Sequence, residues 1–237
     1  MVEKIDELKK IQECIENNNN FLLSGGAGSG KTYSLVQTIN FIKENYNNKA
    51  IACITYTNVA VNEIKNRVVD NRNLKVSTIH DFLWENIKHF QKELRKCIVE
   101  LINEEQIKFK DENIQENYFD SMDIQYKEYL DIKNGIISHD EVILISNKMY
   151  NEYKVLCDIL KDKYDFILVD EYQDTNKFVI EILLDCLKKS SKKSIIGFFG
   201  DSMQSIYNDG VGDLKNYIEN GEIIEIQKKQ NRRNPLK

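Results

Sequence analysis

The sequence predicts an α/β fold in which an open, parallel sheet is flanked by helices and carries a small inserted helical subdomain. Short apolar runs of strand length alternate with amphipathic segments along most of the chain. Such alternation is typical of parallel strands joined by right-handed crossovers. A glycine-rich loop follows the first apolar run. Residues 88–155 are instead charged and mainly helical in periodicity, which predicts the insertion.

The elements of the first half follow from the spacing of apolar residues. Ile5, Leu8, Ile11 and Ile15 recur every three or four residues and form the apolar stripe of a helix. FLLS (21–24) lies between turn-forming residues and is a buried strand, and the helix after the glycine-rich loop extends to about Asn45. Next come a strand in KAIACIT (49–55), a helix in VAVNEIKNRVVD (59–70) and a strand in LKVSTI (74–79).

The alternation resumes after the insertion. DFILVDE (165–171) predicts a buried strand, and a helix follows it to about Lys189. Two more strands are expected in SIIGFFGD (194–201) and EIIEI (222–226). The sequence therefore predicts one discontinuous lobe, residues 1–87 and 156–226, around the inserted segment 88–155.

The composition is that of a folded globular protein. Of its 237 residues, 41% are apolar and 30% are charged, which argues against disorder. No run approaches the roughly 20 apolar residues of a membrane span, and the charged N-terminus does not resemble a secretion signal. We therefore expect a cytoplasmic protein without membrane contact. The net charge of −5 argues against a uniformly basic surface but leaves room for a local basic groove.

Cysteine and histidine do not show the spacing of metal ligands. The five cysteines occur singly, without a CxxC pair, and are expected to be buried, reduced thiols. His89 and His139 stand alone in the sequence and are interpreted as surface or satisfied core residues rather than ligands.

The glycine-rich loop has the pattern of a phosphate-binding loop. GGAGSGKT (25–32) satisfies G-x-x-x-x-G-K-[ST]. Its glycines allow backbone N–H groups to surround phosphates, and the helix that follows favours an anion at its N-terminus. Lys31 would contact the β- and γ-phosphate oxygens, and the Thr32 hydroxyl would bind Mg²⁺. The nucleotide cradle is thus Gly25, Gly26, Ala27, Gly28, Ser29, Gly30, Lys31 and Thr32, with ATP and Mg²⁺ as the expected cofactors.

A pair of carboxylates completes the chemistry of a P-loop NTPase. The apolar strand in FILVDE would deliver Asp170 and Glu171 to the carboxyl edge of the sheet, beside the phosphate loop. Asp170 would hold Mg²⁺, usually through water, and Glu171 would act as the general base toward the attacking water. The two motifs together predict hydrolysis.

Four further segments resemble motifs of Rep/UvrD-type superfamily 1 DNA helicases. VDEYQDTN (169–176) resembles the DExQDxN element, and TYTNVAVNEIKNR (55–67) resembles T-x-T-N-x-A-x-x-E-x-x-x-R. STIHDF (77–82) resembles TxHxF, and GDSMQSIY (200–207) resembles GDxxQSIY. The matches extend from Gln12 to Arg233 without the insertion, and they imply the RecA-like ATP-binding lobe of a DNA motor.

The resemblance implies a role for each matching position. Gln12 would read adenine, while Gln173 and Gln204 would sense the γ-phosphate and couple it to DNA. The residues implied in contacts with single-stranded DNA are Thr57, Asn58, Thr78, His80, Phe82 and Tyr207. Phe82 and Trp84 have the alternative of being core residues, and Arg67 that of a solvated helix residue.

The sequence departs from the family at two places. After GDxxQSIY the family has an aromatic residue that stacks on a base, whereas this chain reads NDGVGDL (208–214). Stacking contributes about 1–3 kcal/mol per base, so a divergent subfamily is expected, with UvrD-like proteins that accompany nucleases in bacterial anti-phage systems as one candidate class. At the adenine, Tyr33 and Arg232 stand where the family has Arg and Tyr, so the two sides of the clamp are exchanged. Arg233 then takes the arginine-finger position.

Two functions from different classes follow. The first is an ATP-hydrolysing lobe that contacts single-stranded DNA or a single-strand/duplex junction and needs a second lobe, in cis or in trans, to move along it. Residues 227–237 would begin the crossover to that second lobe. The alternative is a nucleotide-gated DNA-binding or regulatory module for a partner nuclease, with little motor activity.

Overall fold

The computed structural model describes residues 3–68, 72–109, 114–201 and 214–228. The chain divides into two compact units. The first unit comprises the described residues of 1–78, 161–180 and 192–237, and the second comprises those of 79–160 and 181–191.

One parallel sheet forms the centre of the first unit. Its strands are β1 (Asn20–Ser24), β2 (Ile51–Thr55), β3 (Leu74–Thr78), β6 (Phe166–Asp170), β7 (Ile195–Gly200) and β8 (Ile223–Gln227). They are arranged in the order β3-β2-β6-β7-β1-β8, and every pair is parallel. All residues of β2, β6 and β7 are buried, as continuous apolar runs in a sheet covered on both faces require. The predicted α/β fold with a parallel sheet is confirmed.

Within the part of the chain that the structure describes, four α-helices lie wholly in the first unit. They are α1 (Glu3–Glu16), α2 (Lys31–Asn45), α3 (Asn58–Arg67) and α9 (Lys215–Glu219), while α7 (Lys154–Lys163) and α8 (Lys177–Leu184) each cross a unit boundary in sequence. Ile11 and Ile15 of the predicted α1 stripe lie in one buried cluster with Leu35 and Ile39 of α2 and Phe21 of β1. This packing holds α1 and α2 against the strand that leads into the glycine-rich loop.

The second unit is largely helical. It contains α4 (Ile79–Ile87), α5 (Gln91–Asn103), α6 (His139–Glu152) and two short parallel strands, β4 (Gln125–Tyr126) and β5 (Ile136–Ile137). Helix α6 packs against both α4 and α5. The two strands were not predicted, because two-residue strands are too short to show alternating polarity. The unit begins at residue 79 rather than at 88, and it also takes in residues 181–191.

All five cysteines are buried and free, as predicted. Among the described residues, no helix is both long enough and apolar enough to span a membrane.

Candidate nucleotide-binding site

The glycine-rich loop connects β1 to α2 in a conformation that needs glycine. Gly28 and Gly30 have φ angles of 77° and 85°, in the left-handed region. Gly30 directly precedes α2 and offers no side-chain cap, so the first amides of the helix are left to a ligand. The Gly25 amide donates to the Gly200 carbonyl at 3.0 Å and thereby ties the loop to the end of β7. The loop therefore has the form of an anion cradle.

Lys31 lies across this loop with its side chain almost fully buried. Its Nζ donates to the Gly25 carbonyl at 2.9 Å and to the Gly26 carbonyl at 3.5 Å. The same Nζ lies 3.9 Å from the Glu171 Oε2. Strand β7 lies between β1 and β6 in the sheet. The side chain of Lys31 nevertheless reaches from the loop after β1 to Glu171, the residue after β6. The structure thus brings the phosphate loop and the predicted carboxylate pair together.

Asp170 ends β6 in a buried position that suits a metal ion. It is only 3% exposed, and its Oδ1 has no hydrogen-bond partner. Burial, and then the neighbouring Glu171 charge, raise the pKa of Asp170 to about 7. A buried carboxylate oxygen without a partner is costly, and a divalent cation would both bind it and favour its charged form. The Asp170 carboxylate is an oxygen ligand of the kind that Mg²⁺ prefers, and Thr32 is the second residue of α2, directly after Lys31.

Glu171 is held in an unusual backbone conformation. Its φ is 49°, which is uncommon for a residue other than glycine and is typical of functional sites. Gln173 Nε2 donates to the Glu171 Oε2 at 2.7 Å, while Gln173 Oε1 accepts from the Asp201 amide at 3.0 Å. Gln173 therefore links the predicted general base to the residue that follows β7.

Gly200 and Asp201 belong to this arrangement, although sequence reasoning assigned them no role. A Cβ on Gly200 would lie 2.3 Å from Gln173 Oε1 and 2.4 Å from Tyr172 Cδ1. Only glycine allows Gln173 to reach the end of β7. The GD pair of GDSMQSIY is the signal of this arrangement in the sequence.

An exposed group of residues follows β2. Thr57 caps α3, its Oγ1 accepting a hydrogen bond from the Ala60 amide at 3.2 Å, and Asn58 begins that helix. Tyr56 is 53% exposed and was not singled out from the sequence, although it is the aromatic residue inside the TYTN motif. Arg67 pairs with Glu63 at 2.6 Å, with both side chains about half exposed, in accord with a solvated helix residue.

The TxHxF residues divide between the two units. Thr78 is buried at the end of β3. Phe82, in the second unit, is 2% exposed, so its ring packs as a core residue and does not offer a face to a base. This is the alternative that the sequence left open.

His80 and His139 form part of an aromatic group in the second unit. Their ring centroids lie 4.6 Å apart, so His139, which has no histidine or cysteine near it in the sequence, contacts another histidine in the fold. The ring centroid of Tyr126 lies 5.4 Å from that of His139 and 6.1 Å from that of Trp84. Burial and the adjacent His139 lower the pKa of His80. These residues are distant in sequence, and the packing of α4 with α6 brings them together.

Other predicted ligands have less structural detail or none. Gln12 is half-buried on α1, and Tyr33, in the first turn of α2, is 47% exposed. Gln204, Tyr207, Arg232 and Arg233 lie outside the described residues. The exchanged adenine clamp and the arginine finger remain predictions.

A separate cluster of acidic side chains lies in the second unit. Cys97, Glu100 and Glu152 place ligand atoms close enough together for a metal ion. Lys148, however, already lies among these acids, with its Nζ 3.1 Å from Glu100, 2.9 Å from Glu104 and 3.4 Å from Glu152. The group is an ion-pair network between α5 and α6.

The glycine loop, its lysine and the carboxylates at the edge of a parallel sheet define a RecA-like P-loop nucleotide-binding domain. The family model described as "AAA domain" matches residues 9–209, and the chain belongs to that family.

Two curated proteins and one solved structure are similar to this chain. The Gabija protein GajB of Bacillus cereus (strain HuB5-5) is 28% identical over 98% of this chain and 47% of its own length. The ATP-dependent DNA helicase Rep of Buchnera aphidicola subsp. Baizongia pistaciae (strain Bp) is 28% identical over 83% of this chain and 35% of its own length. A crystal structure of Bacteroides sp Pif1 in complex with ADP-AlF4 covers 97% of this chain and 42% of the Pif1 chain, with 17% identity and a TM-score of 0.44. The chain thus spans less than half of each of these proteins, and the sequence similarity to Rep confirms the resemblance to Rep/UvrD-type superfamily 1 helicases.

Proposed function

We propose that the chain is the ATP-binding and ATP-hydrolysing lobe of a UvrD-like superfamily 1 DNA helicase or translocase. The observation that carries this proposal is the 3.9 Å approach of Lys31 Nζ to Glu171 Oε2. This contact supports the proposal because it joins the glycine-rich loop to Glu171, the proposed general base. The neighbouring Asp170 has a buried Oδ1 without a hydrogen-bond partner.

Each residue has a defined task in ATP hydrolysis. The amides of the loop bind the β- and γ-phosphates, and Lys31 exchanges its carbonyl partners for phosphate oxygens. Thr32 and Asp170 would hold Mg²⁺, which when bound neutralises phosphate charge. Glu171 orients the attacking water and accepts its proton, and Gln173 holds the Glu171 carboxylate in place. Gln12, Tyr33 and Arg232 would bind adenine, and Gln204 and Arg233 would act at the γ-phosphate.

The nucleic-acid partner is single-stranded DNA or a single-strand/duplex junction. Tyr56, Thr57 and Asn58 support it, because they are exposed beside one another after β2, where an aromatic ring and polar groups can contact a base and the backbone. Thr78, His80 and Tyr207 are further proposed contacts. A second motor lobe, a nuclease as further partner and a cytoplasmic location complete the proposal.

An ATPase titration tests the assignment. Hydrolysis by the 237-residue chain, alone and with a second lobe supplied, is measured against single-stranded DNA concentration for the wild type and Glu171→Gln. We expect DNA to stimulate the wild type and Glu171→Gln to lose about 10²-fold or more while still binding ATP. Glu219→Gln, at an exposed position on α9, is the matched control. Equal rates for wild type and Glu171→Gln would contradict the proposal.

The regulatory alternative rests on the absence of the stacking aromatic in NDGVGDL (208–214) and on the net charge of −5. It predicts ATP binding without stimulation by DNA even when a second lobe is present. Nucleotide-dependent binding to a nuclease would then be the activity to measure.

A further inference from the structure

Lys228, the residue after β8, carries a buried charge at the back of the phosphate loop. Its side chain is only 6% exposed. Its Nζ lies 3.3 Å from Glu7 Oε2, donates to the Ser34 hydroxyl at 2.6 Å and to the Gly30 carbonyl at 3.3 Å. Burying an ammonium is costly unless it is paired and hydrogen-bonded. These contacts compensate that cost and hold the Lys228 ammonium in place.

The backbone brings Lys228 to this place. Its amide donates to the Ser24 carbonyl at 2.7 Å, which continues the pairing of β8 along β1. A Cβ on Gly25 would lie 3.0 Å from the Lys228 Cβ and 3.3 Å from its carbonyl oxygen. Gly25 therefore also provides the close approach that lets Lys228 pass behind the loop.

The partners of Lys228 belong to two different parts of the nucleotide site. Gly30 and Ser34 flank Lys31 and Thr32, the proposed ligands of the phosphates and of Mg²⁺. Glu7 lies on α1, the helix that carries Gln12, the proposed adenine reader. One ammonium group thus joins the element that binds phosphates to the element that would bind the base.

We propose that Lys228 is a positioning residue that fixes the phosphate loop and α1 relative to each other for an adenine nucleotide. Its bonds to Gly30 and Ser34 order the loop, and its ion pair with Glu7 sets α1. This inference rests on the proposed function for the identity of the nucleotide, and a binding experiment without hydrolysis tests it.

The experiment measures displacement of a fluorescent ATP analogue from the full 237-residue chain by ATP, GTP and inorganic tripolyphosphate, with Mg²⁺ present. Lys228→Met removes the contacts to the loop and the ion pair with Glu7, so we expect affinity for tripolyphosphate to fall about tenfold and the preference for ATP over GTP to fall about threefold or more as well. Glu7→Gln removes only the negative charge that pairs with Lys228 and leaves the contacts to the loop. We expect it to leave tripolyphosphate affinity unchanged and to lower the preference for ATP over GTP about threefold or more.

The controls separate positioning from general stability. Lys215→Met, at an exposed lysine on α9, should change neither value, and melting temperatures identify unfolded variants. In the double variant Glu7→Gln/Lys228→Met, the preference for ATP over GTP should fall no further than in Lys228→Met alone, because the two side chains act through one contact. If Lys228→Met does not fold, Glu7→Gln decides the matter.

Two results overturn the inference: wild-type tripolyphosphate affinity in Lys228→Met, or an unchanged preference for ATP over GTP in Glu7→Gln. A wild-type chain that binds no nucleotide would refute the proposed function instead, so the two failures are distinguishable.

Discussion

Lys31 Nζ lies 3.9 Å from the Glu171 carboxylate, although a strand separates their positions in the sheet. The ammonium of Lys31 also donates to the Gly25 and Gly26 carbonyls of the loop, and Glu171 is the proposed general base. If Lys31 binds a triphosphate as proposed, these contacts are replaced and Glu171 becomes available to the attacking water. In this proposal, nucleotide binding is connected to the availability of the base.

Lys31→Met should abolish hydrolysis. The substitution keeps much of the length of the side chain but removes the charge that stabilises the phosphates, so we expect a loss of about 10²-fold or more in kcat/KM. Release of phosphate at saturating and at low ATP is the measurement, with Lys215→Met as control. Retention of activity within about threefold would contradict the role of Lys31.

The pKa of Asp170 predicts a pH dependence for Mg²⁺ binding. Burial raises this pKa from 3.8 to about 7, so the folded protein keeps the proton that an unfolded chain has already released. The group therefore lowers stability as pH rises from about 4 to 7, and the penalty is constant above that. Mg²⁺ needs the charged form, so Mg²⁺ affinity should rise about tenfold per unit up to pH 7 and level off above it.

Calorimetric titration of Mg²⁺ between pH 5.5 and 8.5 checks this expectation. Asp170→Asn should remove both the pH dependence of Mg²⁺ binding and this group's part of the stability slope. A wild-type affinity that does not change across the range would exclude Asp170 as a ligand with a raised pKa.

Gly200→Ala should destabilise the protein and shift Gln173, which donates to Glu171, the proposed general base. The added Cβ would meet Gln173 Oε1 and the Tyr172 ring at about 2.3–2.4 Å, so both side chains must move. We expect a cost of about 1–3 kcal/mol in the free energy of unfolding, together with reduced kcat, measured by denaturant titration and ATPase assay. Gly26→Ala, where a Cβ meets nothing within 4 Å, is the stability control.

Tyr56→Ala and Phe82→Ala should act on different properties. Exposed Tyr56 is expected to contribute about 1–3 kcal/mol to binding of single-stranded DNA by stacking, with little effect on melting temperature. Phe82 is buried, and its truncation should cost about 3–5 kcal/mol of stability. Fluorescence anisotropy with an oligonucleotide, and Tyr129→Ala as an exposed aromatic control, separate the two. If Tyr56→Ala does not weaken DNA binding, the exposed aromatic after β2 is not a contact.

By itself, the sequence determined the local parts of this protein. GGAGSGKT dictates a loop with left-handed glycines before a helix, because the φ angles depend on residues within the loop. FILVD and IIGFFG dictate buried parallel strands, because an uninterrupted apolar run must be covered on both faces. The strands and the carboxylates that follow them could therefore be placed within a residue or two.

Only the tertiary structure decided which distant residues meet. Nothing in the sequence indicates that Lys228 is buried, and its ion pair with Glu7 depends on β8 lying beside β1. His139 joins His80 because α6 packs against α4, and residues 181–191 belong to the second unit although they follow β6 in the chain. Such contacts arise from the order of strands and the faces of helices, and a periodic pattern specifies a face without naming its partner.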